Sequence, residues 1–314
     1  MRKLIIDTDP GIDDAMAVLL AACHPSISLV GLSSIFGNVP VEIATCNALA
    51  LAELAGLDIP VAAGAARPLV QAPHPYPDYV HGAGGFGTAK LPQPVRAADP
   101  RGAATFLAEA AAENPGEITI CAIGPLTNLA SALHTHPGIA GNVAGVVVMG
   151  GAVWTGGNVT PAAEANIWQD PHAAAEVLAA NWPVTLVGLD VTEQVRCTPQ
   201  DFDTIADGAP MTGGFLRAAV EFYFAFHRET AGFTGCYMHD PTAVLTISAP
   251  HLFKAEELPI EVVTDGAEAG RTRIGTGTGG HRVRVCREVA AEAVRSEFVN
   301  LMKQGDACRR SRSG

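Results

Sequence analysis

The chain has 314 residues, 48% hydrophobic and 17% charged, which excludes intrinsic disorder and leaves enough apolar surface to bury a large core. A formal charge of −12 repels phosphate backbones and sets nucleic acid aside as a partner. No run reaches the roughly 18 apolar residues of a membrane span, and the apolar stretch before Asp7 is too short for a secretory leader.

Residues 3–7 are a short apolar run ending in a carboxylate, a buried strand that stops at a polar edge. Pro10-Gly11 turns the chain, and Asp13 and Asp14 open an amphipathic helix to residue 23, acids at its positive end. A strand at 28–33, a helix at 41–55 and a strand at 59–63 follow. This β-α-β-α-β order predicts an α/β fold: a mostly parallel, doubly wound, Rossmann-like sheet with helices on both faces. Residues 65–99, rich in Pro and Gly, interrupt the rhythm as a long loop of the kind that carries function. The alternation resumes with a helix from Pro100, a strand at 117–123, a helix at 126–133 and a strand at 143–149. Asp170-Pro171 caps a helix, 184–188 is a strand, and Thr198-Pro199 caps a short helix. A long apolar helix spans 214–228 and another begins at Pro241. Short strands near 260–264, 272–274 and 282–285 precede a last helix at 290–302.

No Ser/Gly-rich or charge-rich linker divides the chain, so one catalytic domain is expected over 1–305, followed by a disordered basic tail over 306–314. The seven cysteines form no C-x-x-C pair and no Cys/His zinc pattern. That usage fits a reducing compartment, and a soluble, cytoplasmic protein is expected.

Chemistry concentrates first in Asp7-Thr8-Asp9-Pro10-Gly11-Ile12-Asp13-Asp14, with four carboxylates in eight residues at the C-terminal edge of the first strand. Ligands of open α/β sheets bind at that edge. Like charges so close repel unless a cation neutralises them, and oxygen ligands select a hard ion, Ca²⁺ or Mg²⁺. A lone Asp-Asp at a helix start is usually only a solvated acidic cap; four acids at a strand end favour a site.

This run closely resembles the N-terminal signature of the inosine-uridine-preferring nucleoside hydrolases. Three further stretches fit that family in order. They are Ile123-Gly124-Pro125-Leu126-Thr127-Asn128, then Met149-Gly150-Gly151 with the segment from Asn158 to Asn166, and His239-Asp240-Pro241. The resemblance implies a Ca²⁺-dependent enzyme that hydrolyses the N-glycosidic bond of a ribonucleoside. It implies Asp9, Asp14, Asp240 and the Ile123 carbonyl as metal ligands, with Asp7 behind them. Asp13 would hold the ribose 2′-hydroxyl, and Asn38, Met149, Asn158, Glu164, Asn166 and Asp240 would complete the sugar site. Relatives that assemble as dimers or tetramers make a homo-oligomer the expectation, with a small nucleoside as the partner.

The implied reaction needs a carboxylate base, because Ca²⁺ acidifies its water only modestly; Asp9 is that base. The transition state is oxocarbenium-like, as in glycoside hydrolysis, and is stabilised by the surrounding carboxylates, including Asp13. His239 is the leading group for the departing base, and His227 the second. His81, in a Gly-rich stretch, is expected to touch the base, while Phe86, Trp154, Phe233 and Tyr237 are aromatic candidates for stacking on it. The loops at 74–90 and 228–238 are expected to act as lids.

Two other readings compete. Asp7-x-Asp9 also resembles the nucleophile motif of haloacid-dehalogenase-type phosphatases, which use Mg²⁺ and want a lysine near the phosphate; none of the four lysines sits at a strand end convincingly. A Ca²⁺-dependent nucleoside-binding protein without turnover is the second.

Overall fold

The computed structural model describes residues 1–276 and 281–313. The first part of the chain forms β1 (Arg2–Thr8), α1 (Ile12–Cys23), β2 (Ile27–Ser34), α2 (Val41–Leu54), β3 (Val61–Ala63), α3 (Asp78–His81) and α4 (Ala103–Glu113). The middle forms β4 (Ile118–Ala122), α5 (Thr127–Thr135), α6 (Ile139–Asn142), β5 (Gly145–Met149), α7 (Ala165–Gln169), α8 (Pro171–Ala179), β6 (Val184–Val187) and α9 (Leu189–Thr192). Then come β7 (Arg196–Cys197), α10 (Pro199–Gly208), α11 (Thr212–Thr230), β8 (Cys236–Tyr237), α12 (His239–Ser248) and β9 (Phe253–Leu258). The chain closes with β10 (Ile260–Val262), β11 (Thr272–Ile274), β12 (Val283–Val289), α13 (Ala291–Met302) and α14 (Gly305–Ser313).

The main sheet has eight strands in the order β3-β2-β1-β4-β5-β6-β12-β9. All neighbours are parallel except β9, which runs antiparallel to β12 at one edge. Alternation along β1 feeds both faces: Leu4 and Ile6 enter one core and Ile5 the other. Burial on both sides is why such a strand reads as an unbroken apolar run. One core packs under α1, α2, α11, α12 and α13, and the other under α4, α5 and α8. The fold class expected from the sequence is therefore the one observed.

The short elements α3, α6, α7, α9, β7 and β8 were not expected, and two further features depart from expectation. β9 was not expected as a strand, because Lys254, Glu256 and Glu257 make it polar; these residues are exposed on an edge where charge prevents pairing with another chain. Lys254 and Glu256 pair with Glu288 and Arg287 of β12. The basic segment expected as a disordered tail is instead helical as α14 up to Ser313, with Gly314 outside the described residues. Asp306 fastens this helix to the start of α11 by accepting from the backbone N–H groups of Met211 and Thr212, each at 2.9 Å.

The strand order reverses between β1 and β4, since the chain builds β2 and β3 on one side of β1 and then returns to the other. A crevice opens at the carboxyl ends of the strands at such a reversal.

Candidate functional site

Every expected site residue lies beyond the C-terminal end of a strand or on a helix packed over that edge. Asp9 follows β1, Asn38 follows β2, Ile123 follows β4, and Met149 ends β5. Asp13 and Asp14 occupy the first turn of α1, and Asp240 the first turn of α12. These two helices pack together, so their N-terminal turns meet. Both turns present partial positive charge, which favours carboxylates there.

Carboxylate oxygens of Asp13, Asp14 and Asp240 lie within 4.8 Å of one another, and all three side chains are buried. Oxygens that share one calcium-sized ion, each about 2.3–2.6 Å from it, can be at most about 5 Å apart, so the trio fits a hard divalent cation. This grouping differs from the ligand set implied by the sequence in holding Asp13 in place of Asp9. Asp9 Oδ2 accepts from the Asn38 backbone N–H at 2.6 Å, while Oδ1 is buried and has no hydrogen-bond partner among the described residues. An orphaned buried carboxylate oxygen beside an acidic trio is itself an observation in favour of a cation. Asp14 is held more completely: Thr8 Oγ1 donates to Oδ1 at 2.5 Å, and Gly11 N–H and Asn38 Nδ2 donate to Oδ2 at 2.9 and 3.0 Å.

Asp7 does not join this group. Ser33 Oγ and Asn128 Nδ2 donate to its Oδ1 at 2.5 and 2.8 Å, on the side of the sheet where α5 packs. Burial raises its pKa to about 7. Burial and the Asp14 charge raise Asp13 to about 8, and the same two causes push Asp9 well above the carboxylate range. Asp240 is raised by burial and by Asp13, Asp14 and Asp9. No lysine or arginine is found among the described residues lining the adjoining cavity, so protein cations do not offset this repulsion.

That cavity measures about 610 Å³, within the range of small-molecule sites. Asp13, Asn38, His81, Ile123, Met149, Asn158, Glu164, Asn166, His227, His239 and Asp240 all line it. The sugar-side candidates are tightly fixed. Glu164 caps α7 by accepting from the N–H groups of Asn166, Ile167 and Gly151 at 3.0, 3.1 and 3.0 Å, and Asn158 Oδ1 accepts from Ala165 N–H at 3.0 Å. Asn166 Nδ2 donates to the carbonyls of Ile123 and Met149 at 3.0 and 3.1 Å.

Three histidines stand around the other end. His81 Nδ1 accepts from Ile12 N–H at 3.1 Å, His227 Nδ1 lies 2.9 Å from the Tyr223 carbonyl, and His239 Nδ1 lies 2.8 Å from Thr192 Oγ1. Burial and the neighbouring histidines push His81 and His239 down to about 3, so both rings are uncharged at neutral pH. Burial also lowers His227.

The aromatic expectations need correction. Of the four candidates only Tyr237 lines the cavity. Phe86 is buried edge-on against Phe215, Trp154 lies under the Arg287 guanidinium, and Phe233 backs His227 with Arg196 over its ring. The lining aromatics are instead Tyr76, Tyr79, Trp168, Tyr223, Phe226 and Tyr237. Loop paths decide which ring faces inward, and composition carries no such signal. Thr192 and Glu193 were also missed; their position just after β6, at the same sheet edge, was the available clue.

Residues 4–296 match the family described as Inosine-uridine preferring nucleoside hydrolase. The chain is 41% identical over 277 residues to Uridine nucleosidase 1 of Arabidopsis thaliana, covering 88% of this chain and 82% of that one. Its structure is similar to a plant nucleoside hydrolase with a TM-score of 0.93 and 37% identity, over 96% of this chain and 99% of that one. A purine-preferring ribonucleoside hydrolase from Gardnerella vaginalis is similar to the same TM-score, 0.93, at 31% identity, over 97% of this chain and 99% of that one.

Proposed function

The chain belongs to the inosine-uridine preferring nucleoside hydrolase family and is a hydrolase acting on N-glycosyl bonds; from that premise we propose that it cleaves ribonucleosides to ribose and free base with a calcium ion at the buried aspartates. The observation that carries the reading is the group of Asp13, Asp14 and Asp240 within 4.8 Å, of which Asp13 and Asp240 line a nucleoside-sized cavity, together with the buried Oδ1 of Asp9, which has no hydrogen-bond partner among the described residues.

Asp9, Asp14, Asp240 and the Ile123 carbonyl would hold the ion, with Asp13 next to them. When bound, the ion supplies positive charge that acidifies a water and orients sugar hydroxyls. Calcium is favoured over softer metals by the all-oxygen donor set.

Asp9 takes a proton from the attacking water through Oδ1, while Asn38 steadies its other oxygen. Asp13 accepts from the ribose 2′-hydroxyl. Asn166, with its amide nitrogen already committed to two carbonyls, offers Oδ1 to a sugar hydroxyl. Asn38, Met149, Asn158 and Glu164 complete the sugar contacts. Positive charge growing on the ribose ring is stabilised by these carboxylates in a water-poor site. His239, His227 and His81 meet the leaving base. The loops carrying Tyr76 to His81 and Thr230 to Tyr237 close over it.

The buried thiols of Cys121, Cys197, Cys236 and Cys286 suit a reducing, cytoplasmic setting, where the enzyme would work in nucleoside salvage as a dimer or tetramer. A phosphatase reading loses its required lysine: none of Lys3, Lys90, Lys254 and Lys303 is among the described residues lining the cavity.

The test is a reducing-sugar assay across purine and pyrimidine ribonucleosides, with and without chelator. Ribose release that stops on chelation and returns with calcium is expected. No release from any nucleoside, or release indifferent to chelator, would overturn the proposal; tight binding without turnover would mark a sensor instead.

A further inference from the structure

We propose that Thr192 is a positioning residue that fixes the ring proton of His239 on Nε2, so that His239 meets the leaving base as an N–H donor. The inference rests on the reading above, in which His239 faces that base.

Thr192 is fully buried at the end of α9, immediately after β6. Among the described residues its hydroxyl has a single partner, His239 Nδ1 at 2.8 Å. Two arrangements are possible. If Nδ1 carried the proton and donated to Thr192, the threonine O–H would be left buried with no acceptor. If Thr192 donates to Nδ1, its hydrogen is satisfied, and a ring whose Nδ1 accepts carries its proton on Nε2. Leaving a buried donor unpaired is the more costly choice, so the second arrangement holds. Thr192 does not line the cavity and His239 does, so the nitrogen opposite Nδ1 is the one on the cavity side.

The other two histidines sharpen the argument. His81 Nδ1 must accept, because Ile12 contributes a backbone N–H, so its proton is also on Nε2. His227 Nδ1 must donate, because Tyr223 contributes a backbone carbonyl, so its Nε2 is an acceptor. Both of these tautomers are set by main-chain atoms, which truncating a side chain leaves in place. His239 alone takes its tautomer from a side chain, and one substitution can change it.

In the reaction, the bond from the anomeric carbon to the base nitrogen breaks and its electron pair stays with the base. The water oxygen bonds to the anomeric carbon, and the water proton goes to Asp9. Nε2–H donates a hydrogen bond to the departing base and keeps its proton; the base takes its own from solvent. A threonine that releases Nδ1 lets the ring present a lone pair to that base instead.

The experiment uses the calcium-loaded enzyme with Thr192→Val, Thr192→Ser and His239→Ala. Substrates are the nucleoside it cleaves fastest and p-nitrophenyl riboside, whose leaving group departs unaided. Thr192→Val should lower kcat on the nucleoside by about 10- to 100-fold, with a change under about 3-fold on the nitrophenyl compound, and Thr192→Ser should restore the nucleoside rate. Nitrogen NMR of histidine-labelled wild-type enzyme should find His239 Nδ1 unprotonated, a readout independent of whether any variant folds. A protonated Nδ1, equal losses on both substrates with Thr192→Val, or no restoration by serine would overturn the proposal. If His239→Ala lowers both substrates equally, the role of His239 itself fails. If His239→Ala is selective and Thr192→Val is not, only the threonine inference falls.

Discussion

Asn38 binds two aspartates at once: its backbone N–H donates to Asp9 Oδ2 at 2.6 Å and its side-chain amide donates to Asp14 Oδ2 at 3.0 Å. This double contact, made from the end of β2, sets the spacing between the two carboxylates and turns Asp9 Oδ1 inward without a partner. The roles assigned to these residues follow from that spacing, and each can be tested.

Asp9→Asn keeps the shape of the side chain but removes its basicity. Turnover should fall by about 10²- to 10⁴-fold, read as ribose released under saturating calcium. A variant with near-normal kcat would take the base role away from Asp9.

Gly124 and Gly37, lacking side chains, leave room for Asp9 on two sides. A Cβ added at Gly124 would stand 2.5 Å from Asp9 Oδ1, and one at Gly37 only 2.0 Å from Oδ2. Gly124→Ala must therefore displace the carboxylate. A misplacement near 1 Å is enough to cost about 10²-fold in rate. Activity loss of that order in a protein with an unaltered circular dichroism spectrum is expected; retained activity would show that Asp9 tolerates movement.

Asp13 has a folded-state pKa raised from 3.8 to about 8 by burial and by Asp14. A group raised in this way contributes stability below its unfolded pKa and loses it as pH climbs through the folded value. In chelator, then, Asp13→Asn should gain melting temperature relative to wild type steadily from pH 5 to pH 8. Calcium should reverse the ranking, because the ion stabilises the charged wild-type site in proportion to its occupancy. A difference that stays flat with pH in chelator would count against buried, unneutralised charge at Asp13.

His227 is predicted to contact the base without taking part in bond breaking. His227→Ala removes one hydrogen-bond acceptor, worth about 1 kcal/mol, and should raise KM by about 3- to 10-fold while kcat moves less. An unchanged KM for every nucleoside would place His227 outside the binding surface, as support for Phe233 and Tyr237.

The sheet was legible in the sequence because strands buried on both faces, such as β1 and β5, are nearly continuous apolar runs bounded by turns. The aspartates were legible because acids at the end of such a strand have no structural use that repays their repulsion. That Asp13 joins Asp14 and Asp240 in one group within 4.8 Å, without Asp9, was not legible, because it depends on how the first turns of α1 and α12 meet. β9 was hidden by its charge, and the true aromatic lining by the course of the loops. Thr192 carried no motif at all; its meaning appears only once His239, from a distant part of the chain, arrives beside it.

Asp14 and Asp240 lie more than 200 residues apart in the sequence, yet they meet in one place. A growing polypeptide therefore holds the first half of an acidic centre long before the second half is synthesised. Packing α12 against α1 brings these like charges together in a buried interior. A divalent ion that bound the closed centre and not the open chain would raise the folded population by mass action.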